Sequence, residues 1–348
     1  MHPEAESELD AQAKFADALL RYFRGRLGVD SIGFSVPPTR LTGGYDTTIW
    51  AFELGGAPET MWSQPLVARV FHPGQSIRPR HEAAIHSAIA EQGFPCPPPL
   101  LIEDADEPLG GPFFIMPRLA GHPLLDSILS PAGLIRVPRL LARTQLALHA
   151  LDTAKVRDRL AAAGFDQPPG GTAAWLRGAR GEIEQGSYAA FEPALRWLEA
   201  NQPAPSAAVV VCHCDFHPLN LLTERGRVTG VIDWSNILFA EPEVDVAFSR
   251  TIMTMGPIDG GRFAPILGRA RVALTALYER EYRKDRPLDQ SRLRYFEALR
   301  CFLAMLNATR AKTKGQPFLD AYAWGRPQQS GLMTAHFQRI SGVALPRP

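Results

Sequence analysis

The sequence predicts an α+β protein with a small β-rich first part and a larger, mostly helical second part. Short β-like runs broken by Gly and Pro fill the first part, and apolar residues at helical spacing dominate the rest. A chain of 348 residues, 45% apolar and 21% charged, is long enough for two globular domains. Prolines mark the connection near 116–123, so we expect one lobe over residues 1–116 and another over residues 117–348.

The first part contains a long helix, several short strands and a second helix. Apolar residues at helical spacing predict the first helix from Leu9 to Arg26. The later elements are two strands around a Gly-Gly turn in PPTRLTGGYDTTIWAFEL, a strand in QPLVARVF, a helix in RPRHEAAIHSAIAEQGF that ends at Gly93, and a strand in GGPFFIMPRL.

The second part alternates long helical patterns with one β-like region. Helices are predicted in LIRVPRLLARTQLALHALD, GGTAAWLRGARGEIEQ and AFEPALRWLEAN, and again from Phe263 onward. Between them, AVVVCH and NLLTERGRVTGVIDW favour strands.

Composition excludes several classes of protein. The N-terminus has no basic-then-apolar leader, and no run of about 18 apolar residues occurs, so we expect a cytoplasmic protein with no membrane partner. The four cysteines have no framework spacing and are expected to be free thiols. A mildly basic C-terminal region is the sole hint of nucleic-acid binding, so we expect no nucleic-acid partner.

The stretch VCHCDFHPLNLL, residues 211–222, concentrates residues that carry chemistry. Zinc binding is one interpretation, because Cys212, His213, Cys214 and His217 are acceptable ligands by type. Their spacing opposes it, since adjacent residues on a strand point to opposite faces and no second ligand pair of recognisable spacing occurs elsewhere.

A catalytic loop is the second interpretation of the same stretch. Asp215 is followed by Asn220 and then by Asp233, beyond a hairpin for which Gly226 and Arg227 suit the centre of a type II′ turn. That register would place Asn220 opposite Asp233, and these hard oxygen ligands suit Mg²⁺ carrying nucleotide phosphates. Asp215 would then accept a proton from a hydroxyl nucleophile.

These residues also resemble a known family. HCDFHPLN, VIDW and AEPEVDVAF are similar to the marks of the aminoglycoside phosphotransferase and choline kinase-like family, namely His-Gly-Asp-x-x-x-x-Asn, Ile-Asp-Trp and Gly-x-Pro-x-x-Asp-Leu-Ala. The resemblance spans roughly residues 35–250. It implies a two-lobed protein kinase-like fold, ATP or GTP with Mg²⁺ as cofactors, and transfer of phosphate to a small-molecule hydroxyl.

The resemblance also assigns supporting roles near the catalytic loop. His213 would fix the loop by hydrogen bonds or serve as a core residue, and Asp245 would either brace the loop or cap a helix. Cys214 departs from the family pattern, because it stands where the family usually has Gly and its Cβ would crowd the loop.

The first lobe should hold the nucleotide. The Gly-Gly turn and the hydroxyls after it can cover phosphates, and a basic residue in LVARVF, paired with a helix carboxylate, would grip them. The segment FFIMPRL resembles the strand that meets the base, where Pro117 has no N–H and a donor must come from Arg118 or Leu119. The predicted nucleotide-binding residues are Gly43, Gly44, Thr47, Arg69, Glu82, Met116 and Arg118.

The acceptor is expected to be a neutral or anionic hydroxyl compound. Residues 251–348 carry 16 Lys and Arg against 7 Asp and Glu, which disfavours a polycationic aminoglycoside. Two alternatives stay open, an aminoglycoside or macrolide antibiotic phosphotransferase and an inactive kinase-like nucleotide-binding protein. Aromatic residues that could line an acceptor pocket, or simply belong to the core, are Trp175, Trp197, Tyr282, Phe296 and Trp324.

Overall fold

The computed structural model describes residues 3–41, 47–129, 131–165, 171–185, 188–257, 264–314 and 323–348. The chain divides into two compact units. The first comprises Met1–Gly121 and Lys155–Phe165, and the second comprises His122–Ala154 and Asp166–Pro348.

Within those residues the secondary structure follows the expected order. The strands are β1 (Gly33–Leu41), β2 (Thr47–Gly55), β3 (Leu66–Phe71), β4 (Leu101–Glu103), β5 (Phe113–Pro117), β6 (His122–Pro123), β7 (Val210–Cys212), β8 (Leu221–Glu224), β9 (Arg227–Val231) and β10 (Leu238–Ala240). The helices are α1 (Pro3–Leu27), α2 (Ile77–Ala90), α3 (Pro131–His149), α4 (Thr153–Ala162), α5 (Gly171–Glu184), α6 (Glu192–Ala200), α7 (Pro242–Met255), α8 (Ala264–Arg283), α9 (Gln290–Thr313) and α10 (Pro327–Ser341).

The first unit is built on a five-stranded antiparallel sheet in the order β1-β2-β3-β5-β4. Every residue of the central strand β3 is buried, which explains its near-continuous apolar sequence. Helix α1 buries its apolar stripe in the core beside this sheet, with Leu19 and Phe23 fully buried and the Phe15 ring stacked 4.3 Å from that of Trp50.

The second unit is mostly helical and carries two short sheets. Helix α3 packs against α8, and α7 and α10 pack against α9. Strands β7 and β10 form one antiparallel ladder, and β6, β8 and β9 form the other sheet. These ladders hold the loop that contains Asp215. The predicted α+β fold class, strand-rich first and helical after, is therefore confirmed.

In the ranges given above, the structure has no helix long and apolar enough to span a membrane.

Candidate active site

The loop after β7 has an unusual backbone at the position that departs from the family pattern. Cys214 has φ of +61°, a left-handed conformation in which a Cβ is strained by roughly 1–2 kcal/mol. Glycine adopts this conformation without that penalty, which explains the usual Gly at this position. Here the side chain is instead accommodated in the interior, and burial raises the pKa of its thiol well above the usual value.

Asp245 braces the loop at that strained residue. Its Oδ1 accepts the backbone N–H of Cys214 at 2.6 Å, and its Oδ2 accepts bonds from Gln145 Nε2 and His149 Nε2, both at 2.9 Å. The predicted brace is confirmed, while the alternative of a helix cap is wrong because Glu241 occupies the N-cap of α7. Burial alone would raise the pKa of Asp245, but His149 and Gln145 outweigh it and hold that pKa below its ordinary value.

His213 connects the loop to the strand that ends before Asp233. Its Nδ1 accepts the N–H of Asp215 at 3.3 Å, so Nε2 carries the proton and donates to the carbonyl of Ile232 at 3.0 Å. The ring is fully buried, 4.7 Å from the ring of Trp234. His213 therefore fixes the loop by hydrogen bonds and is also a core residue.

Asn220 ties its own position to Asp215. Its amide nitrogen donates to the Asp215 carbonyl at 2.9 Å and to the Asp215 Oδ2 at 3.2 Å. The amide oxygen then has no hydrogen-bond partner among the described residues, so it is left to accept from or coordinate another group.

The β8–β9 hairpin has a different register from the predicted one. The turn is centred on Arg225 and Gly226, both with positive φ, which is a type I′ turn closed by Glu224 opposite Arg227. The predicted type II′ turn on Gly226 and Arg227 is wrong.

An irregularity in the ladder between Leu222 and Thr223 shifts the pairing further. As a result Asn220 pairs with Ile232, and the Ile232 N–H donates to the Asn220 carbonyl at 3.0 Å. The predicted register had placed Asn220 opposite Asp233. Asp233 is one residue beyond, partly exposed, with φ of +64° and with Oδ1 accepting from Ser235 Oγ at 2.9 Å. Asn220 and Asp233 thus stay near the mouth of one hairpin.

Asp215 is held in its charged form. Burial would raise its pKa, but His217, whose Nε2 lies 3.6 Å from Oδ2, and the charge of Arg300 lower that pKa to about 2. The carboxylate is therefore ionised at neutral pH. From the sequence, His217 was considered as a possible zinc ligand or a loop residue and Arg300 was not considered, because motif spacing does not mark either residue as a partner of Asp215.

The cysteines are not arranged as a zinc site. Cys212 is fully buried, and its thiol donates weakly to backbone carbonyls, the nearer ones being those of Ala240 and Glu241 at 3.7 Å. No group of three His, Cys, Asp or Glu side chains is positioned to hold a metal ion in the part of the chain that the structure describes.

The first unit brings two of the predicted nucleotide-binding residues together. Arg69 on β3 and Glu82 on α2 form an ion pair, with Nε 3.2 Å from Oε1, and both side chains are nearly buried. Burial would raise the pKa of Glu82, but Arg69 and His86 outweigh it and keep that pKa below its ordinary value. The Glu82 carboxylate is therefore charged at neutral pH.

The other predicted nucleotide-binding residues have mixed outcomes. The Thr47 hydroxyl at the start of β2 is buried and has no hydrogen-bond partner among the described residues. Met116 packs into the apolar cluster around Phe114. The N–H of Arg118 donates to the Pro65 carbonyl at 2.8 Å, which leaves Leu119 as the candidate donor to a base. Gly43 and Gly44 lie outside the described residues.

The predicted acceptor-site aromatics separate into two groups. Tyr282 and Phe296 are fully buried core residues, and Trp197 packs on Tyr295 and Phe337. Trp175 and Trp324 instead lie beside Phe248 and Arg300, respectively. The Trp175 ring stacks 5.5 Å from Phe248, and the guanidinium of Arg300 lies 5.1 Å from Phe248 and 5.6 Å from Trp324.

Comparison with known proteins places this geometry in a family. Residues 38–288 match the model of the phosphotransferase enzyme family. The chain is 32% identical over 164 residues to viomycin phosphotransferase of Streptomyces vinaceus, covering 44% of this chain and 55% of that one. It is 27% identical over 247 residues to acyl-CoA dehydrogenase family member 10 of Mus musculus, covering 67% of this chain and 22% of that one.

The fold agrees with solved structures. The aminoglycoside phosphotransferase APH(4)-Ia, solved as a thermostable mutant in complex with AMP-PNP and hygromycin B, superposes with a TM-score of 0.63 at 21% identity, over 94% of this chain and all of that one. The predicted kinase-like fold is confirmed by this likeness. The match of the family model to well over half of the chain shows that the chain belongs to the phosphotransferase enzyme family.

Proposed function

We propose that this protein is a Mg²⁺-dependent phosphotransferase that moves the terminal phosphate of ATP or GTP to a hydroxyl of a small molecule. The observation that carries the proposal is a hydrogen-bonded cluster around Asp215. Asn220 bonds to Asp215 directly, and His213 links Asp215 to Ile232 after strand β9. Such a cluster keeps a proton-accepting carboxylate and candidate metal ligands in one fixed arrangement.

Asp215 acts on the acceptor hydroxyl. Its ionised carboxylate accepts the hydroxyl proton as the oxygen attacks the terminal phosphorus, and the bond between that phosphorus and the bridging oxygen breaks to release the nucleoside diphosphate. The proton then passes from Asp215 to solvent. Because the pKa of this carboxyl is about 2, it serves mainly to orient the hydroxyl and takes the proton late in the transfer.

Asn220 and Asp233 fit a magnesium ion. The Asn220 amide oxygen has no hydrogen-bond partner among the described residues. Asp233 is partly exposed and lies near the same open end of the β8–β9 hairpin. Both are the hard oxygen ligands that Mg²⁺ prefers, with the remaining ligands expected from phosphate and water. When bound, the ion offsets the charge of the nucleotide phosphates.

The first unit supplies the nucleotide contacts in this proposal. Arg69, aligned by Glu82, grips the phosphates. Gly43, Gly44 and the Thr47 hydroxyl, which has no hydrogen-bond partner among the described residues, cover them. Met116 borders the base, and Leu119 replaces Arg118 as the backbone donor to it. The AMP-PNP bound by the related aminoglycoside phosphotransferase supports a nucleotide here.

The acceptor is proposed to be neutral or anionic. Support comes from the basic balance of residues 251–348, which would repel a polycation. Antibiotic phosphorylation is the second candidate function, and the 32% identity to viomycin phosphotransferase favours it. For an aminoglycoside or viomycin-like antibiotic, the two candidates differ in one measurable property, which is whether the acceptor carries several positive charges.

Replacement of Asp233 by alanine tests the proposed metal site. The variant should need a higher Mg²⁺ concentration for half-maximal transfer and bind the Mg²⁺-nucleotide more weakly, because a ligand is lost. Asp285→Ala, at an exposed position of the same unit, is the matched control and should keep the wild-type requirement. An unchanged Mg²⁺ requirement in Asp233→Ala would count against this site.

A radiolabelled phosphate-transfer screen tests the acceptor class. The panel pairs viomycin, hygromycin B and kanamycin with uncharged and anionic hydroxyl compounds. Efficient transfer to the cationic antibiotics, and none to the others, would establish the second candidate and reject the first.

A further inference from the structure

Several of the C-terminal basic residues that the structure describes have structural partners. Arg292 pairs with Glu241 and Arg310 pairs with Glu182. Arg271 donates to the carbonyls at the end of α7, at 2.9 Å for Ile252, and burial lowers the pKa of its guanidinium to about 10. These charges stabilise the helical unit and are not available to a ligand.

Arg300 on α9 differs from them. Its Nε is buried and has no hydrogen-bond partner among the described residues. No Asp or Glu side chain among those residues forms an ion pair with the Arg300 guanidinium. A buried donor without an acceptor costs about 1–3 kcal/mol, so such a group commonly serves a purpose other than stability. The residue as a whole is only partly buried, so a ligand can reach the guanidinium.

Two aromatic rings fix the position of this guanidinium. It lies 5.1 Å from the ring of Phe248 and 5.6 Å from that of Trp324, within the range of cation–π attraction, and Trp175 stacks on Phe248 in turn. Aromatic contacts hold the planar group without using its N–H groups. The hydrogen-bonding edge is thus kept in place for another acceptor.

Helix α7 connects the Arg300 guanidinium to the catalytic loop. Phe248 lies three residues after Asp245 on α7, which places both on one face of the helix, and Asp245 holds the N–H of Cys214 next to Asp215. The charge of Arg300 also lowers the pKa of the Asp215 carboxyl, which agrees with this proximity.

We infer that Arg300 binds an oxyanion of the acceptor, a carboxylate or a phosphate ester carried by the same molecule as the reacting hydroxyl. This inference rests on the proposed function and narrows it from a neutral or anionic acceptor to an anionic one. A planar guanidinium offers two parallel N–H groups to such an oxyanion.

Matched acceptors and variants test the inference. Glycerol, glycerate and glycerol phosphate share a skeleton, and the panel extends them with hydroxy acids and sugar phosphates, each beside its uncharged alcohol. In wild type the ratio of kcat/KM for the anion to kcat/KM for the alcohol should be high for at least one pair. Arg300→Met should lower that ratio by about tenfold or more, Arg300→Lys by less, and Arg294→Met, an exposed change on the same helix, should leave it unchanged.

Transfer that favours the carboxylates or the phosphate esters identifies which oxyanion is bound. An equal loss on anion and alcohol, or a loss confined to the nucleotide KM, would overturn the inference. Arg300→Lys keeps the positive charge between the rings, so it provides the folded comparison if the Met variant does not fold.

A binding measurement separates this inference from the proposed function. Thermal stabilisation by the same anions, without nucleotide, should occur in wild type and be lost in Arg300→Met. Binding that depends on Arg300 without any phosphoryl transfer would reject the proposed function alone. Transfer that does not depend on Arg300, or no Arg300-dependent binding across the panel, would reject this inference.

Discussion

Replacing Asp245 with asparagine should destabilise the second unit and slow phosphoryl transfer together. The carboxylate is fully buried and accepts three hydrogen bonds, from the Cys214 backbone, Gln145 and His149. In the variant the amide oxygen can still accept from Cys214, but its NH₂ group faces two other donors. Breaking a buried charged network in this way costs about 3–5 kcal/mol.

Urea unfolding, followed by tryptophan fluorescence, measures the loss. With an m-value of about 2 kcal/mol/M, a loss of about 3 kcal/mol lowers the unfolding midpoint by about 1.5 M. Asp285→Asn, an exposed carboxylate in the same unit, should change the stability by less than about 0.5 kcal/mol. His149→Gln combined with Asp245→Asn should cost less than the two single changes together, because both act on one network.

The pH dependence provides the sharper test of the Asp245 network. The folded-state pKa of Asp245 lies below the ordinary value of 3.8, so its ionisation adds stability above that pH and the contribution is lost as pH falls through the folded-state pKa. The stability difference between wild type and Asp245→Asn should therefore shrink at pH 3 relative to pH 7. A loss below about 1 kcal/mol at pH 7, or one that does not change with pH, would refute the reasoning.

Three further outcomes are expected. Cys214→Gly should be more stable than Cys214→Ala by about 0.5–1 kcal/mol in urea unfolding, since the φ of +61° reverses the usual preference for Ala over Gly; the opposite order would contradict that backbone. Glu82→Gln should raise the nucleotide KM about tenfold in steady-state assays by releasing Arg69, whereas Glu91→Gln, exposed at the end of the same helix, should not. Because the pKa of Asp215 is about 2, kcat should show no acid limb from this group between pH 5 and pH 8; such a limb, removed by Asp215→Asn, would contradict the assignment.

Local patterns were sufficient to predict the fold class and the grouping of polar residues around Asp215. Strand β3 is buried on both faces, and all of its residues except Arg69 are apolar. This pattern predicted both the strand and the one cation within it. The spacing of Asp215, Asn220 and Asp233 predicted one cluster because a hairpin between the last two restricts where their side chains can lie.

Side chains from distant segments could not be predicted in the same way. The hairpin register depended on whether Gly226 takes the first or the second central position of the turn, and the sequence permits both since Arg225 tolerates φ of +51°. Gln145 on α3 supports the loop through Asp245, and the charge of Arg300 on α9 acts on Asp215. Tertiary packing alone decides which residues of those helices do so. The strained Cys214 was noticed as a departure from a pattern, but its burial beside Asp245 was not foreseeable.

Phosphate transfer by Asp215→Asn tests the central claim most directly. The amide keeps the shape of the carboxylate and can still accept from Asn220, but it cannot take the acceptor's proton. With the acceptor found by the screen, and with Mg²⁺-nucleotide binding measured in parallel, turnover should fall by about 100-fold or more while nucleotide binding and the unfolding midpoint stay close to wild type. Turnover near the wild-type rate would contradict the assignment of Asp215 as the proton acceptor.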